Sequence, residues 1–166
     1  NSTAGSTATP APTDGSTPTP TPSLATTPTA SPTDASDPNW VSPALFAEFQ
    51  SFDCSTLDAA NTNVAPADEP LITCDTSSVE KYILGPVEVS GETIADASSG
   101  QIANSQGVST GQWGVFIVFD EVGTKQFADV TARLYGFPDT DARNRFAIVL
   151  DGKVISAPTT QGVITD

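Results

Sequence analysis

Residues 113–136 read WGVFIVFDEVGTKQFADVTARLYG, and this stretch predicts a strand followed directly by a long helix. Trp113, Val115, Ile117 and Phe119 alternate along one face of the strand. The residues between them are mostly apolar as well, so both faces of the strand are hydrophobic. Because such a pattern is typical of strands buried on both sides, we expect a central, well-covered strand.

The helix that follows has clear boundaries and one apolar face. Asp120 is a suitable N-cap, and Gly136 marks the end after Tyr135. The expected buried face consists of Gly123, Phe127, Val130 and Leu134. Since Gly costs about 1 kcal/mol within a helix, Gly123 indicates a close helix–sheet contact. A row of alternating charges at i,i+4 spacing predicts surface ion pairs, and its members are Glu121, Lys125, Asp129 and Arg133.

Shorter elements flank this unit. Downstream, two strand-like runs surround Asp151-Gly152, which is a strong signal for a type I′ hairpin. Upstream, Ser42-Pro43 predicts the start of a short helix, and residues 80–84 predict a strand stopped by Gly85-Pro86. Residues 97–112 have the composition of a long loop.

The order of elements predicts an α+β fold with a mainly antiparallel sheet covered by helices and with a C-terminal β-hairpin. We expect residues 41–166 to form this domain, because about 126 residues can bury enough surface for a core. Residues 1–40 contain 8 of the 14 Pro residues, 11 Thr and three acids without a base. They predict a disordered Thr/Ser/Pro-rich linker or stalk, with an O-glycosylated stalk as a narrower alternative.

Composition excludes several function classes. The formal net charge is −14, of which −11 falls in residues 41–166, so unaided nucleic-acid binding is disfavoured. The chain has no His, which removes the commonest general base and metal ligand, and its two Cys cannot complete a four-thiolate zinc site. No run reaches the roughly 18 apolar residues of a membrane span. Without an initiator Met or an apolar signal segment, we expect a mature or cut chain.

The sequence contains three partial matches to catalytic or metal-binding patterns, and none of them is complete. Residues 107–111 match the G-x-S-x-G pattern, but that motif needs a strand before it, a helix after it and a His to activate the Ser. The acidic run at 139–141 lacks the Gly and Glu that a calcium loop places further on. Lys153 and Ser156 have an odd spacing and lie on opposite faces of a strand. We therefore predict no enzymatic activity, no metal and no cofactor.

Trp113 and Phe116 have two interpretations. They could form an aromatic platform for unfolded peptide, or they could be part of the core. Because aromatic residues in so apolar a strand are usually buried, we expect them in the core.

Three sequence blocks together resemble the SecD family. The first block is residues 81–86 followed by 94–97, the second runs from Phe119 through Asp120, Gly123 and Phe127 to Thr131, and the third is residues 146–158. In this order and spacing the blocks are similar to SecD, a membrane subunit that assists the Sec protein-export channel. The Thr/Pro-rich segment and the Cys pair resemble the actinobacterial version. The family's membrane helices and its Asp-Leu-Gln-Gly-Gly block are absent, and the family continues past residue 166, so we expect a fragment.

The resemblance implies part of the first large extracytoplasmic domain of SecD, on the outer side of the bacterial cytoplasmic membrane. It implies SecF and the Sec channel as partners, and proton-driven export of unfolded polypeptide as the task. An even number of Cys in such a compartment favours a disulfide between Cys54 and Cys74 over two free thiols. The remaining residues that match the family motifs are expected to be structural, and they are Gly85, Pro86, Asp120, Gly123, Phe127, Asp151, Gly152 and Pro158.

Two functions remain open on the sequence alone. The domain could bind emerging polypeptide weakly and move with it, or it could be a purely structural ectodomain that contacts other translocase subunits. An unrelated hydrolase is a distant third. The first two differ in one structural respect, which is whether apolar residues are exposed to a ligand or buried in the core.

Overall fold

The computed structural model describes residues 23–58 and 63–165, which contain two α-helices and six strands. The helices are α1 (Pro43–Ser51) and α2 (Glu121–Leu134). The strands are β1 (Leu71–Cys74), β2 (Lys81–Leu84), β3 (Ile94–Ala103), β4 (Ser109–Phe119), β5 (Ile148–Leu150) and β6 (Lys153–Ser156). The α+β prediction is confirmed. Of the linker predicted for residues 1–40, residues 1–22 lie outside the described residues.

The strands form three antiparallel pairs rather than one sheet. β1 pairs with β2, β3 with β4, and β5 with β6. The first and third pairs lie side by side, because Asp75 forms a parallel bridge to Val154 and the Thr73 hydroxyl donates to the Gly152 carbonyl. The C-terminal hairpin is confirmed, with its turn at Asp151-Gly152.

The β3–β4 pair differs from two predictions. Residues 97–112 were predicted to be a loop, but β3 extends through Ala103 and β4 begins at Ser109, so only residues 104–108 connect them. β4 was predicted to be central and covered, yet it belongs to a two-stranded ribbon and its side chains are largely exposed. The second prediction failed because an apolar strand has the same sequence pattern whether a second layer covers it or not.

Both helices begin where the sequence predicts. The Ser42 hydroxyl accepts a hydrogen bond from the Leu45 amide at 3.2 Å, with Pro43 at the first helical position. The Asp120 carboxylate accepts from the Gly123 amide at 2.8 Å. These caps satisfy amide groups that have no partner within the helix.

The predicted ion-pair row of α2 is only partly observed. Lys125 pairs with Asp129 at 2.9 Å. Arg133 forms no pair with Asp129 and instead pairs with Glu88 and Asp34. The Arg133 Nε lies 3.6 Å from the Asp34 carboxylate. Because the guanidinium is half-buried between three segments, this contact links α2 to two distant parts of the chain.

The core is small and takes its buried residues from α2 and the two short strand pairs. Its most deeply buried apolar residues are Ile72, Cys74, Val130, Leu134 and Val154. The fully buried Asn144 satisfies both ends of its amide, donating to the Phe137 carbonyl at 2.7 Å and accepting from the Thr160 amide at 2.8 Å. This pairing removes the cost of burying the polar group and fixes the C-terminal segment on the body.

Residues 33–40 contact the body. The backbone of Ala35 lies against Gly85, and the Ser36 hydroxyl lies 3.3 Å from the Arg133 guanidinium. The Trp40 indole donates to the Asp34 carbonyl at 2.9 Å, which closes the segment on itself. The boundary at residue 40 stays a prediction, and from these contacts we propose that the folded domain begins nearer Thr33.

Candidate functional site

The most distinctive surface is formed by exposed apolar side chains on both faces of the β3–β4 ribbon. We call it the apolar hairpin surface and define it as Ile102, Trp113, Val115, Phe116 and Val118. Trp113 is 71% exposed and Val115 72%, while Phe116 and Val118 on the opposite face of β4 are 49% and 53% exposed. The prediction that Trp113 and Phe116 belong to the core is therefore wrong. Such a concentration of exposed apolar side chains is typical of an interaction site.

Local turn chemistry forms the ribbon. The Asn104 side chain accepts from the amides of Gln106 and Val108, both at 3.0 Å, and Gly107 has a φ of +75°. Asn and Gly favour such tight connections, because Asn bonds to the backbone ahead and Gly tolerates positive φ. This four-residue signal, Asn104 to Gly107, was available in the sequence and indicates a hairpin rather than a long loop.

The β3–β4 ribbon joins the rest of the domain, which we call the body, through aromatic packing at the end of β4 next to α2, which we call the root of the ribbon. Phe127 lies between Phe119 and Phe146, with ring centroids 5.2 and 5.1 Å away. Gly123 allows α2 to approach closely, since a Cβ there would lie only 3.0 Å from the Phe119 Cβ of β4 and 2.7 Å from the Thr93 Cβ. Both residues thus lie where α2 meets β4, as the close-contact interpretation of Gly123 requires.

A small cavity of about 120 Å³ opens beside this root. Its lining is mainly apolar and consists of Ile117, Val118, Phe119, Thr124, Phe127 and Ile164. The Ile164 amide donates to the Thr131 hydroxyl at 3.0 Å, which holds the C-terminal segment at the edge of the cavity. The volume accommodates one side chain rather than a cofactor, because ligand pockets are usually several hundred Å³.

Charge is nearly absent from the ribbon. Within residues 94–119, Asp96 is the single charged side chain, although the whole chain has a net charge of −14. The apolar hairpin surface is therefore a neutral patch on an acidic molecule. A ligand for it loses little solvation of charged groups on binding.

Cys54 and Cys74 form the predicted disulfide, with their Cα atoms 5.8 Å apart. Cys74 is fully buried at the end of β1, and Cys54 begins a 3-10 turn that follows α1. The bond connects the α1 region to the β1–β2 pair. Lys81 strengthens the same junction, because its ammonium donates to the Phe52 carbonyl at 2.9 Å and lies 4.8 Å from the Phe49 ring centroid.

The other family-motif residues lie at turns and junctions. Gly85 and Pro86 follow β2, where the missing side chain of Gly85 makes room for the Ala35 backbone. Asp151 and Gly152 both have positive φ, 49° and 74°, as the tight β5–β6 turn requires. Pro158 is exposed and follows β6. Their assignment as structural residues stays a prediction, and none of them lies on the apolar hairpin surface.

The candidate catalytic and metal-binding residues are engaged in ordinary contacts. The Ser109 hydroxyl donates to the Gln101 side chain at 2.6 Å, and the chain has no His that could activate it. Asp141 is paired with Arg143 at 2.7 Å, and hydrogen bonding from the Arg143 guanidinium lowers the pKa of Asp141 to about 2. Lys153 donates to the Leu57 carbonyl at 2.9 Å. Within the described ranges no group of three or more acidic or thiol side chains could hold a metal ion.

No helix within residues 23–58 and 63–165 has the length and apolar character needed to cross a membrane.

The chain is similar to known proteins over most of its length. Residues 69–166 match the family of the SecDF P1 head subdomain. The protein translocase subunit SecD of Streptomyces coelicolor is 32% identical over 124 residues, which are 71% of this chain and 20% of that protein. SecD of Acetobacter pasteurianus is 42% identical over 79 residues, 48% of this chain and 13% of that protein.

SecD of Mycobacterium tuberculosis is 32% identical over 117 residues, 70% of this chain and 18% of that protein. The chain thus spans about a fifth or less of the length of these relatives. No solved structure matches it.

Proposed function

Because the chain belongs to the SecDF P1 head subdomain family, we propose that it is part of an extracytoplasmic domain of a protein translocase subunit and assists the export of unfolded polypeptides. The apolar hairpin surface is the observation that supports this proposal. An exporting machine handles chains whose apolar residues are not yet buried, and a neutral apolar surface can contact such residues.

The proposed contact is weak. A domain that repeatedly binds and releases a polypeptide during export cannot bind it tightly. We therefore expect a Kd of about 10–1000 μM for unfolded polypeptide. The net charge of −14 favours basic or neutral segments over acidic ones, and raised salt should weaken binding of the basic segments.

The proposed location is the outer side of the bacterial cytoplasmic membrane, with SecF and the Sec channel as partners. The Cys54–Cys74 disulfide supports that location, because structural disulfides persist in oxidising compartments. We propose that the domain moves as a unit on linkers when the proton gradient drives the membrane part of the translocase. The aligned residues are only 20% of the Streptomyces coelicolor relative, whose remaining length has room for such a membrane part.

A second function has its own observation in favour. A two-stranded ribbon is only marginally stable alone, so the ribbon could be permanently covered by another translocase subunit. In that case the domain is a structural ectodomain and binds no substrate. The two functions differ in ligand, since a fixed partner requires a particular complementary surface and an unfolded substrate does not.

The direct test is an NMR titration of the chain with a reduced, unfolded secretory protein. We expect amide shifts that cluster on β3 and β4. The same secretory protein in its folded state should cause no shifts. The double variant Trp113→Thr and Val115→Thr should weaken binding severalfold, because both side chains are exposed and can change without disturbing the core.

The matched control is Val79→Thr, which alters a side chain that is 80% exposed and lies outside the ribbon. It should leave the affinity unchanged. Absence of shifts at millimolar ligand would reject substrate binding and favour the structural function. Shifts spread over the whole surface would also reject a defined site.

A further inference from the structure

The outer edge of β4 is unprotected. Among the described residues β3 and β4 pair only with each other, so each has one edge whose backbone groups lack a strand partner. Edge strands are normally protected by charged residues, Pro or bulges. β4 has neither a charged residue nor Pro along its 11 residues, and its pairing is regular from Trp113 to Val118. β3 has Asp96 and an extra residue at the register shift between Ile94 and Asp96, whereas the other shift places its extra residues on β4 between Ser109 and Trp113. The unprotected part of the β4 edge is therefore residues 113–118.

Both faces of β4 are apolar. A strand added at its edge places successive side chains on opposite faces, so they meet Trp113 and Val115 on one side and Phe116 and Val118 on the other. A shift of the guest by one residue exchanges its two faces but still gives each side chain an apolar neighbour. A single register is enforced only when the two faces differ, so this edge accepts a guest in any register.

The charge of each candidate ligand determines whether it can approach the β4 edge. A second copy of the chain has the same net charge of −14 and is repelled, and so is an anionic lipid surface. An extended polypeptide that is neutral or basic and contains apolar residues meets no repulsion at the ribbon, where Asp96 is the one charged group. Unfolded polypeptide also offers free backbone amides, whereas a folded protein has already paired most of them.

We infer that the β4 edge of the ribbon binds unfolded polypeptide as an added strand, through backbone hydrogen bonds along residues 113–118. This inference rests on the proposed function and specifies the binding mode. Backbone pairing is independent of side-chain identity, which gives sequence tolerance, and the two apolar faces of β4 let the guest release and pair again in a different register. Ile117 and Phe119 are half-buried, whereas Val118 between them is 53% exposed.

The experiment separates backbone pairing from side-chain contact. The probe is a ten-residue peptide of alternating Val and Thr with a Lys at each end, titrated into the chain and followed by amide NMR. A second peptide is N-methylated at two consecutive central residues, so that neither of its edges can pair. The control peptide has the same two methyl groups at its C-terminal residues.

Central methylation should weaken binding at least tenfold, and terminal methylation less than threefold. The unmodified peptide should slow hydrogen exchange of amides within residues 113–118 and leave the β3 edge unaffected. Equal binding of all three peptides would overturn backbone pairing while the proposed substrate binding stands. Failure of both the peptides and the unfolded secretory protein to bind would overturn both. Concentration-dependent shifts on β4 without peptide would identify a second copy as the occupant and overturn the inference.

Discussion

Replacing Gly85 with Ala should displace residues 33–37 from their contacts with the body. A Cβ at Gly85 would lie 2.9 Å from the carbonyl carbon of Ala35 and closer still to its oxygen. The obstacle is backbone rather than a flexible side chain, so the segment itself must move. Gly85 does not have positive φ, and the effect of Gly85→Ala is therefore steric rather than conformational.

The expected cost is about 1–2 kcal/mol, within the usual range for overpacking. The contacts that the displaced segment would lose set the upper limit of this cost. They are the partly exposed Arg133–Asp34 ion pair at 3.6 Å and the Arg133–Ser36 hydrogen bond at 3.3 Å. Neither contributes much individually, because exposed ion pairs usually give less than about 1 kcal/mol. For a chain of this size the melting temperature should fall by roughly 3–8 °C.

Urea denaturation and thermal melting both measure the effect, and two controls isolate its cause. Gly91→Ala introduces a Cβ with no heavy atom within 4 Å, so it should be neutral or stabilise slightly by restricting the unfolded chain. Gly85→Ala should also cost less than about 0.5 kcal/mol in a chain that lacks residues 1–36, because Ala35 is then absent.

An equal penalty in the full and shortened chains would refute this reasoning and place the strain elsewhere. No penalty in either chain, together with unchanged stability on removal of residues 1–36, would show that the segment does not contribute to the folded domain. The boundary would then stay near residue 40.

Three further outcomes are expected. Gly123→Leu should destabilise the chain by about 1–3 kcal/mol in urea denaturation, because a side chain there forces α2 away from β4. Replacing Cys54 and Cys74 together by Ser should lower the free energy of unfolding by roughly 3 kcal/mol, since the bond closes a loop across 20 positions. In the unchanged protein, thiol labelling after denaturation without reduction should leave both Cys unlabelled in mass spectrometry. The pKa of Asp141 is lowered to about 2, so its stabilising contribution is complete above its unfolded pKa near 3.8 and disappears as the pH falls towards 2. Carboxyl NMR titration should find that pKa, and Arg143→Gln should raise it towards 3.8.

Among the local elements, both helix starts and the C-terminal hairpin could be predicted from the sequence. The N-caps at Ser42 and Asp120 act on amides three residues away, so they depend on neighbouring residues alone. The turn at Asp151-Gly152 likewise depends on two adjacent residues that tolerate positive φ. The disulfide was predictable once the compartment was inferred, because the chain contains two Cys and no competing thiol.

Only the tertiary structure decided which apolar residues are covered and which charges pair across the chain. Val115 and Phe116 have the pattern of a buried strand, yet no second layer covers them among the described residues. Arg133 fits an i,i+4 pair with Asp129 but contacts Glu88 and Asp34 instead. Such outcomes depend on segments that are distant in sequence and adjacent in space. A residue's own neighbours in the chain determine its periodicity, whereas its burial and its ionic partner depend on where the rest of the chain packs.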